Sequence, residues 1–256
     1  MKTTDNTIEV LIDNVTQVIE PVKKDFGIFF TPDWTVDFMV KLIDETKILK
    51  KKNITVLEPA CGLTQFITGV KRNNPSLFRK AKKFGVEINK DIYNNLTNKE
   101  TEIIYADYLL WQTEQKYDII IGNPPYGIPS LSEHYAIKVN DETKNLYKKN
   151  FATWYGKYNV YGAFIEKSIQ LLKENGELIF ITPATFTFLD EFKKLREFLA
   201  RNGDTEIIYM GEEVFKPDAF VTSVILKFTK GKNIAHNLLL AEYEKEQIIL
   251  HKRTSS

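Results

Sequence analysis

The chain has 256 residues, with 35 basic against 34 acidic side chains and a formal net charge of +1. That length suits one large domain or two small ones, with a core that needs no staples, and the one cysteine, Cys61, excludes an internal disulfide and fits a reducing, cytoplasmic setting. No apolar run approaches the ~18 residues of a bilayer span, the N-terminus has no signal-peptide pattern, and near-neutral charge argues against a free-standing electrostatic nucleic-acid binder.

Residues 1–26 precede the first motif and read as a helical arm. A helix is expected over 33–47, then a strand over 54–60, a helix over 64–73, a strand over 83–88, a helix over 89–97, and strands over 102–107 and 117–122. A polar-aromatic insert follows at 127–160, long enough to be functional or disordered in a compact domain. Its lysines (Lys144, Lys148, Lys149, Lys157) interleave with Tyr147, Phe151, Trp154 and Tyr158 and are the favoured place for DNA-backbone contact. The helix over 161–174 stops at Asn175–Gly176. A strand over 177–184, a helix over 187–202 and strands over 206–211 and 223–228 complete the pattern, the last two close enough for an antiparallel edge hairpin.

Several strand candidates are near-continuous Ile/Val/Leu/Phe runs, as in strands covered on both faces. The alternation predicts an α/β fold: a seven-stranded, mostly parallel sheet with an antiparallel edge strand. The expected organisation is the arm (1–26), one main domain (27–230) and a C-terminal extension (231–256).

In open α/β sheets, ligands bind beyond the carboxyl ends of the strands, where the strand order reverses. The first four strands end on Glu58, Glu87, Asp107 and Asn123, a row of acceptors along one crevice. The turn Glu58-Pro59-Ala60-Cys61-Gly62-Leu63-Thr64 has small residues for close backbone approach but no Gly-rich phosphate cradle. A carboxylate at Glu87 can accept both hydroxyls of a ribose, so a cofactor with a ribose and no phosphate fits best. Cys61 reads as a packing residue, since no base stands at recognisable spacing.

The strongest signal is Asn123-Pro124-Pro125-Tyr126-Gly127 after the strand YDIIIG. Proline at 124 holds Asn123 out of the helical region, and neither proline has an N–H, which leaves rigid carbonyl acceptors. The Asn123 amide oxygen and the Pro124 carbonyl can together accept both hydrogens of one planar NH2 group. Tyr126 supplies an aromatic face for a planar base.

These residues resemble those of the S-adenosyl-L-methionine-dependent amino-methyltransferases of DNA, most of all the gamma-class, TaqI-type adenine-N6 enzymes. The likeness runs from about residue 27 to 230, through Phe30-Thr31-Pro32, the Glu58–Gly62 turn, Gly85-Val86-Glu87-Ile88, Asp107-Tyr108, Asn123–Gly127, the run from Gly156 to Lys167, Thr182-Pro183-Ala184-Thr185 and Gly211–Phe215. It implies a Rossmann-like class I methyltransferase sheet. It further implies that Thr31 and Ala60 contact the methionine part of the cofactor within the Glu58–Gly62 turn. Glu87 would hold the ribose, Ile88, Tyr108 and Phe164 the adenine ring, and Asp107 its amino group, with Asn123 and Pro125 bordering the cofactor. Asn123 and Pro124 would bind the target amine, while Tyr126 and Phe215 contact the flipped adenine. Where the family commonly has a further glycine, this chain has Thr64; a branched residue resists positive φ, so the turn is expected to be reshaped, or Thr64 to cap the next helix.

The resemblance implies double-stranded DNA as substrate, a separate target-recognition domain or subunit, and a cognate restriction endonuclease. Two rivals are a cofactor-binding subunit inactive without a DNA-recognition partner, and a protein glutamine methyltransferase, which also holds a planar NH2. The scattered His134, His236 and His251 suggest no metal site.

Overall fold

The computed structural model describes residues 30–96, 100–129, 136–137, 139–212, 214–216, 220–231, 236–244 and 247–253, the side chains of 129, 136–137 and 236–253 excepted. The expected arm over 1–26 lies outside the described residues, as do Glu213 and His134.

The strands are β1 (Ile54–Pro59), β2 (Ala81–Glu87), β3 (Glu102–Tyr105), β4 (Tyr117–Gly122), β5 (Ile128–Pro129), β6 (Ala136–Ile137), β7 (Leu172–Pro183), β8 (Gly203–Gly211), β9 (Ser223–Lys230), β10 (His236–Glu244) and β11 (Gln247–Arg253). All but the β5–β6 pair join one sheet in the order β11-β10-β8-β9-β7-β4-β1-β2-β3. Every residue of β1 and β4 is buried, and their near-continuous apolar runs suit strands covered on both faces, whereas the edge strand β3 is half exposed. The seven expected strands all form, and β9 runs antiparallel to both β7 and β8. That hairpin is not the edge, however: β10 pairs parallel to β8, and β11 antiparallel to β10. The open hydrogen-bonding edge of β8 is satisfied by the segment expected to be an extension.

The helices are α1 (Asp33–Lys41), α2 (Glu45–Ile48), α3 (Gln65–Asn73), α4 (Pro75–Lys80), α5 (Lys90–Asn95), α6 (Asp141–Asn150), α7 (Val160–Leu171) and α8 (Lys193–Asn202). The helix expected over 33–47 is two, because the Asp44 side chain accepts from Lys47 N and starts a new turn. Short α4 was not expected; Asn74 caps it and Pro75 opens it. Asn175–Gly176 does not end α7. The chain enters the sheet at Leu172, opposite Tyr117, and Asn175 (φ +59°) sits in a bend within β7. Two 3-10 turns occupy the start of the helix expected at 187–202.

Part of the insert at 127–160 is ordered helix. Along α6 and the turn after it, Tyr147, Phe151 and Tyr158 point into the core, and Lys148, Lys149 and Lys157 point outward. Buried Glu166 of α7 holds that turn by accepting from Ala152 N (3.0 Å), Thr153 N (2.9 Å) and Thr153 Oγ1 (2.6 Å).

Candidate active site

Strands β2 and β3 lie to one side of β1, and β4 and β7 to the other. The strand order therefore reverses between β1 and β4, and a cavity of about 150 Å³ opens at their carboxyl ends.

Its floor is the β1–α3 turn. Ala60 (φ +51°), Gly62 (φ +48°) and Thr64 (φ +60°) all lie in the left-handed region, where only glycine sits without strain. The expectation for Thr64 is corrected: it adopts a positive φ despite its branched side chain, and that side chain caps nothing. The cap comes from Glu58, whose carboxylate accepts from Phe66 N (3.1 Å) and Ile67 N (2.9 Å). With those N–H groups already satisfied, the Thr64 hydroxyl has no capping role to fill. Burial pushes the Glu58 carboxyl up to about 8 against the pull of the two N–H groups. Cys61 is buried under the turn against Gly85, where a Cβ would lie 2.8 Å from its sulfur. Burial, reinforced by Glu58 and Glu87, raises its thiol pKa, so it is an inert packing residue.

At the end of β2, Glu87 accepts from Gly62 N (2.9 Å) and Asn89 N (2.7 Å). Burial raises its carboxyl despite these bonds. The first ties the carboxylate to the turn, and each oxygen keeps acceptor capacity for a ligand. Beyond β3, Asp107 accepts from Leu109 N (2.9 Å) and from the Tyr147 hydroxyl (2.6 Å). Next to it Tyr108 and Phe164 form an apolar wall, their rings 4.9 Å apart, with the Tyr108 hydroxyl 2.9 Å from Ser168 Oγ. Lys167, under the Tyr108 ring, donates to the carbonyls of Leu109 and Trp111. Burial lowers its ammonium to about 8, opposed by Asp107.

The Asn123–Gly127 loop is pinned at both ends. Asn123 Nδ2 donates to Thr31 Oγ1 (3.1 Å), and Gly127 N donates to Asn159 Oδ1 (2.9 Å) at the start of α7. Between them, the Tyr126 hydroxyl donates to Ile181 O (3.0 Å).

The cavity wall therefore brings together Thr31, Glu58, Ala60, Gly62, Glu87, Ile88, Asp107, Tyr108, Asn123, Pro124, Pro125 and Phe164. Tyr126 and Phe215 do not border it. Both are buried, and their rings pack edge to face at 6.2 Å, so Tyr126 offers no open face here. Among the wall residues without an expected site role, Gln65 lies in no motif, and Tyr147, named only among the aromatics of the insert, supplies a hydroxyl to Asp107.

Residues 38–215 match the family model described as the Eco57I restriction-modification methylase. The Type II methyltransferase M.TthHB8I of Thermus thermophilus is 44% identical over 208 residues, covering 81% of this chain and 46% of that protein. The Type II methyltransferase M.HincII of Haemophilus influenzae is 32% identical over 226 residues, covering 84% and 39%. The chain thus spans less than half the length of these relatives. Among solved structures, the methyltransferase subunit of a type I restriction-modification system from Streptococcus thermophilus superimposes with a TM-score of 0.69 at 18% identity. That match covers 97% of this chain and 56% of that one, a likeness of fold.

Proposed function

The chain belongs to the Eco57I restriction-modification methylase family, and on that premise we propose that it is the catalytic part of an S-adenosylmethionine-dependent DNA adenine-N6 methyltransferase. The observation that carries this reading is a single cavity in which the Asn123–Pro124–Pro125 loop faces the acidic residues Glu58, Glu87 and Asp107.

S-adenosylmethionine supplies an electrophilic methyl on a cationic sulfonium and bears no phosphate, which suits an acidic cavity without a phosphate cradle. The residues present fit it. Gly62 leaves bare backbone on the inner face of the turn, with no atom within 4 Å of where a Cβ would stand. Thr31 and Ala60 would hold the methionine part. Glu87, preset by two backbone N–H groups, would take the ribose hydroxyls. Ile88, Tyr108 and Phe164 would enclose the adenine ring, and Asp107 would accept from its amino group.

The remaining chemistry belongs to the loop. The exocyclic amine of adenine is a weak nucleophile because its lone pair is delocalised into the ring. Acceptors at Asn123 Oδ1 and the Pro124 carbonyl, placed off the ring plane, favour a pyramidal nitrogen and localise that pair. Holding the amine in one orientation supplies much of the acceleration. No strong base is needed, because the alkylated ammonium loses its proton readily. The base must leave the duplex to reach the loop, and its stacking on Tyr126 requires Tyr126 and Phe215 to part. Choice of DNA sequence is assigned to a further region or partner subunit, consistent with relatives more than twice as long as the matched part. A cognate restriction endonuclease is the other expected partner.

The test is transfer of labelled methyl to DNA, followed by digestion and mass spectrometry of the nucleosides. The expected product is N6-methyladenine, with Asn123→Ala slower by about 100-fold or more. Methylation confined to cytosine or to protein glutamine, or full activity in Asn123→Ala, overturns the reading.

A further inference from the structure

Thr31 stands between the loop that would hold the target amine and a residue outside every motif. Its hydroxyl oxygen accepts from Asn123 Nδ2 at 3.1 Å. Its own backbone is gripped on both polar groups by one side chain: Thr31 N donates to Gln65 Oε1, and Gln65 Nε2 donates to Thr31 O, each at 3.4 Å. Thr31 is 2% exposed, so water does not compete for these bonds. Gln65 is the first residue of α3 and directly follows Thr64, whose φ of +60° sets the direction in which the helix departs. Three segments far apart in sequence, at 31, 65 and 123, thereby become one hydrogen-bonded chain.

An amide has two chemically opposite ends of nearly equal size, and only its oxygen can accept from an amine. Tethering the nitrogen end to Thr31 puts Oδ1 on the other side of the amide carbon. We infer that Gln65 is a positioning residue for the methyl-transfer site: by clamping the Thr31 backbone it fixes the Thr31 hydroxyl, which in turn fixes the rotation of the Asn123 amide so that its oxygen meets the amine. This inference rests on the role proposed for Asn123.

The test compares Gln65→Leu, Thr31→Val and Thr31→Ser in the whole chain, each checked for folding by thermal melting. Two readouts are taken: kcat at saturating cofactor and DNA, and the 15N side-chain amide resonances of Asn123 without ligand. Misplacing a reacting group by about an ångström costs up to ~100-fold. Thr31→Val, which keeps the shape and removes the oxygen, is therefore expected to lose roughly 100-fold in kcat, and Gln65→Leu about tenfold. Thr31→Ser, which keeps the oxygen, stays within about threefold. The Asn123 amide resonances move in Thr31→Val and Gln65→Leu and hold in Thr31→Ser. Wild-type kcat in Thr31→Val or Gln65→Leu, or losses that appear only in the KM for cofactor while the Asn123 resonances stay put, overturns the inference. If the wild-type chain methylates no DNA, the functional reading falls, and the resonances still decide whether Gln65 and Thr31 hold the amide.

Discussion

Both ends of the sheet bury acidic side chains, and the two ends treat them in opposite ways. At the amino end, Asp118 of β4 accepts from Lys51 Nζ (2.8 Å), Lys173 Nζ (2.6 Å) and Thr55 N (3.0 Å). Burial pushes it up, but the two ammonium groups and the Thr55 donors pull it below the ordinary carboxylate range. At the carboxyl end, Glu58 and Glu87 meet only backbone N–H groups, and burial wins. An acid neutralised by lysines is a staple between strands. An acid held by backbone N–H groups alone has no ammonium beside it to stabilise its charge, so burial favours its protonated, neutral form. The strain follows the same division: among the described residues, two of the three non-glycine positive-φ positions fall in the Glu58–Thr64 turn, and the third is an asparagine, which tolerates that conformation.

The strongest way to break the contrast is Asp118→Ala. It leaves two lysines facing a partly buried site without their acid and should cost about 3–5 kcal/mol, read by denaturant unfolding. Cofactor affinity of the folded fraction should stay unchanged; a stability loss under about 1 kcal/mol would mean that Asp118 is no staple.

The next test is pH. The folded chain keeps a proton on Glu58 up to about 8, whereas the unfolded chain loses it near 4.3. Between those values the native state binds more protons, so stability falls as pH rises, by up to ~1.4 kcal/mol per unit. Glu58→Gln should flatten that slope in a pH series of melts. The Asp118 contribution has the opposite sign, being present above pH ~3.9 and lost as the medium acidifies through its lowered pKa. A slope identical in wild type and Glu58→Gln would remove the contrast at the carboxyl end.

The smallest effect expected is a gain. Thr64→Gly keeps the left-handed turn without its strain and should stabilise by about 1 kcal/mol, with methyl transfer within about twofold if Gln65 stays on Thr31. Destabilisation would show that the threonine packs in a way that outweighs its φ.

The strand ends were legible in the sequence because each of Glu58, Glu87, Asp107 and Asn123 closes or follows a short β-branched and aromatic-rich run bounded by turn residues. Helix boundaries were less legible where side chains compete locally, as at Asp44, or where sheet pairing claims the chain early, as at Leu172. Gln65 carried no readable signal, and Tyr147 was legible as an aromatic of the insert but not as a neighbour of Asp107. Each matters through one partner distant in sequence, Thr31 and Asp107 respectively, a pairing that no local pattern encodes.

The near-neutral composition and the order of strands, helices and polar strand ends were enough to determine an α/β sheet with a ligand crevice at its switch point, because hydrophobic periodicity and backbone restriction at proline are local properties. Which acids are ion-paired and which are left protonated by burial, which residue caps α3, that Thr64 adopts a glycine's φ, and that Tyr126 is enclosed by Phe215 were decided only by the tertiary structure. Burial and hydrogen-bond partners depend on what the fold brings alongside a residue, and that neighbourhood is assembled from segments dozens of residues apart.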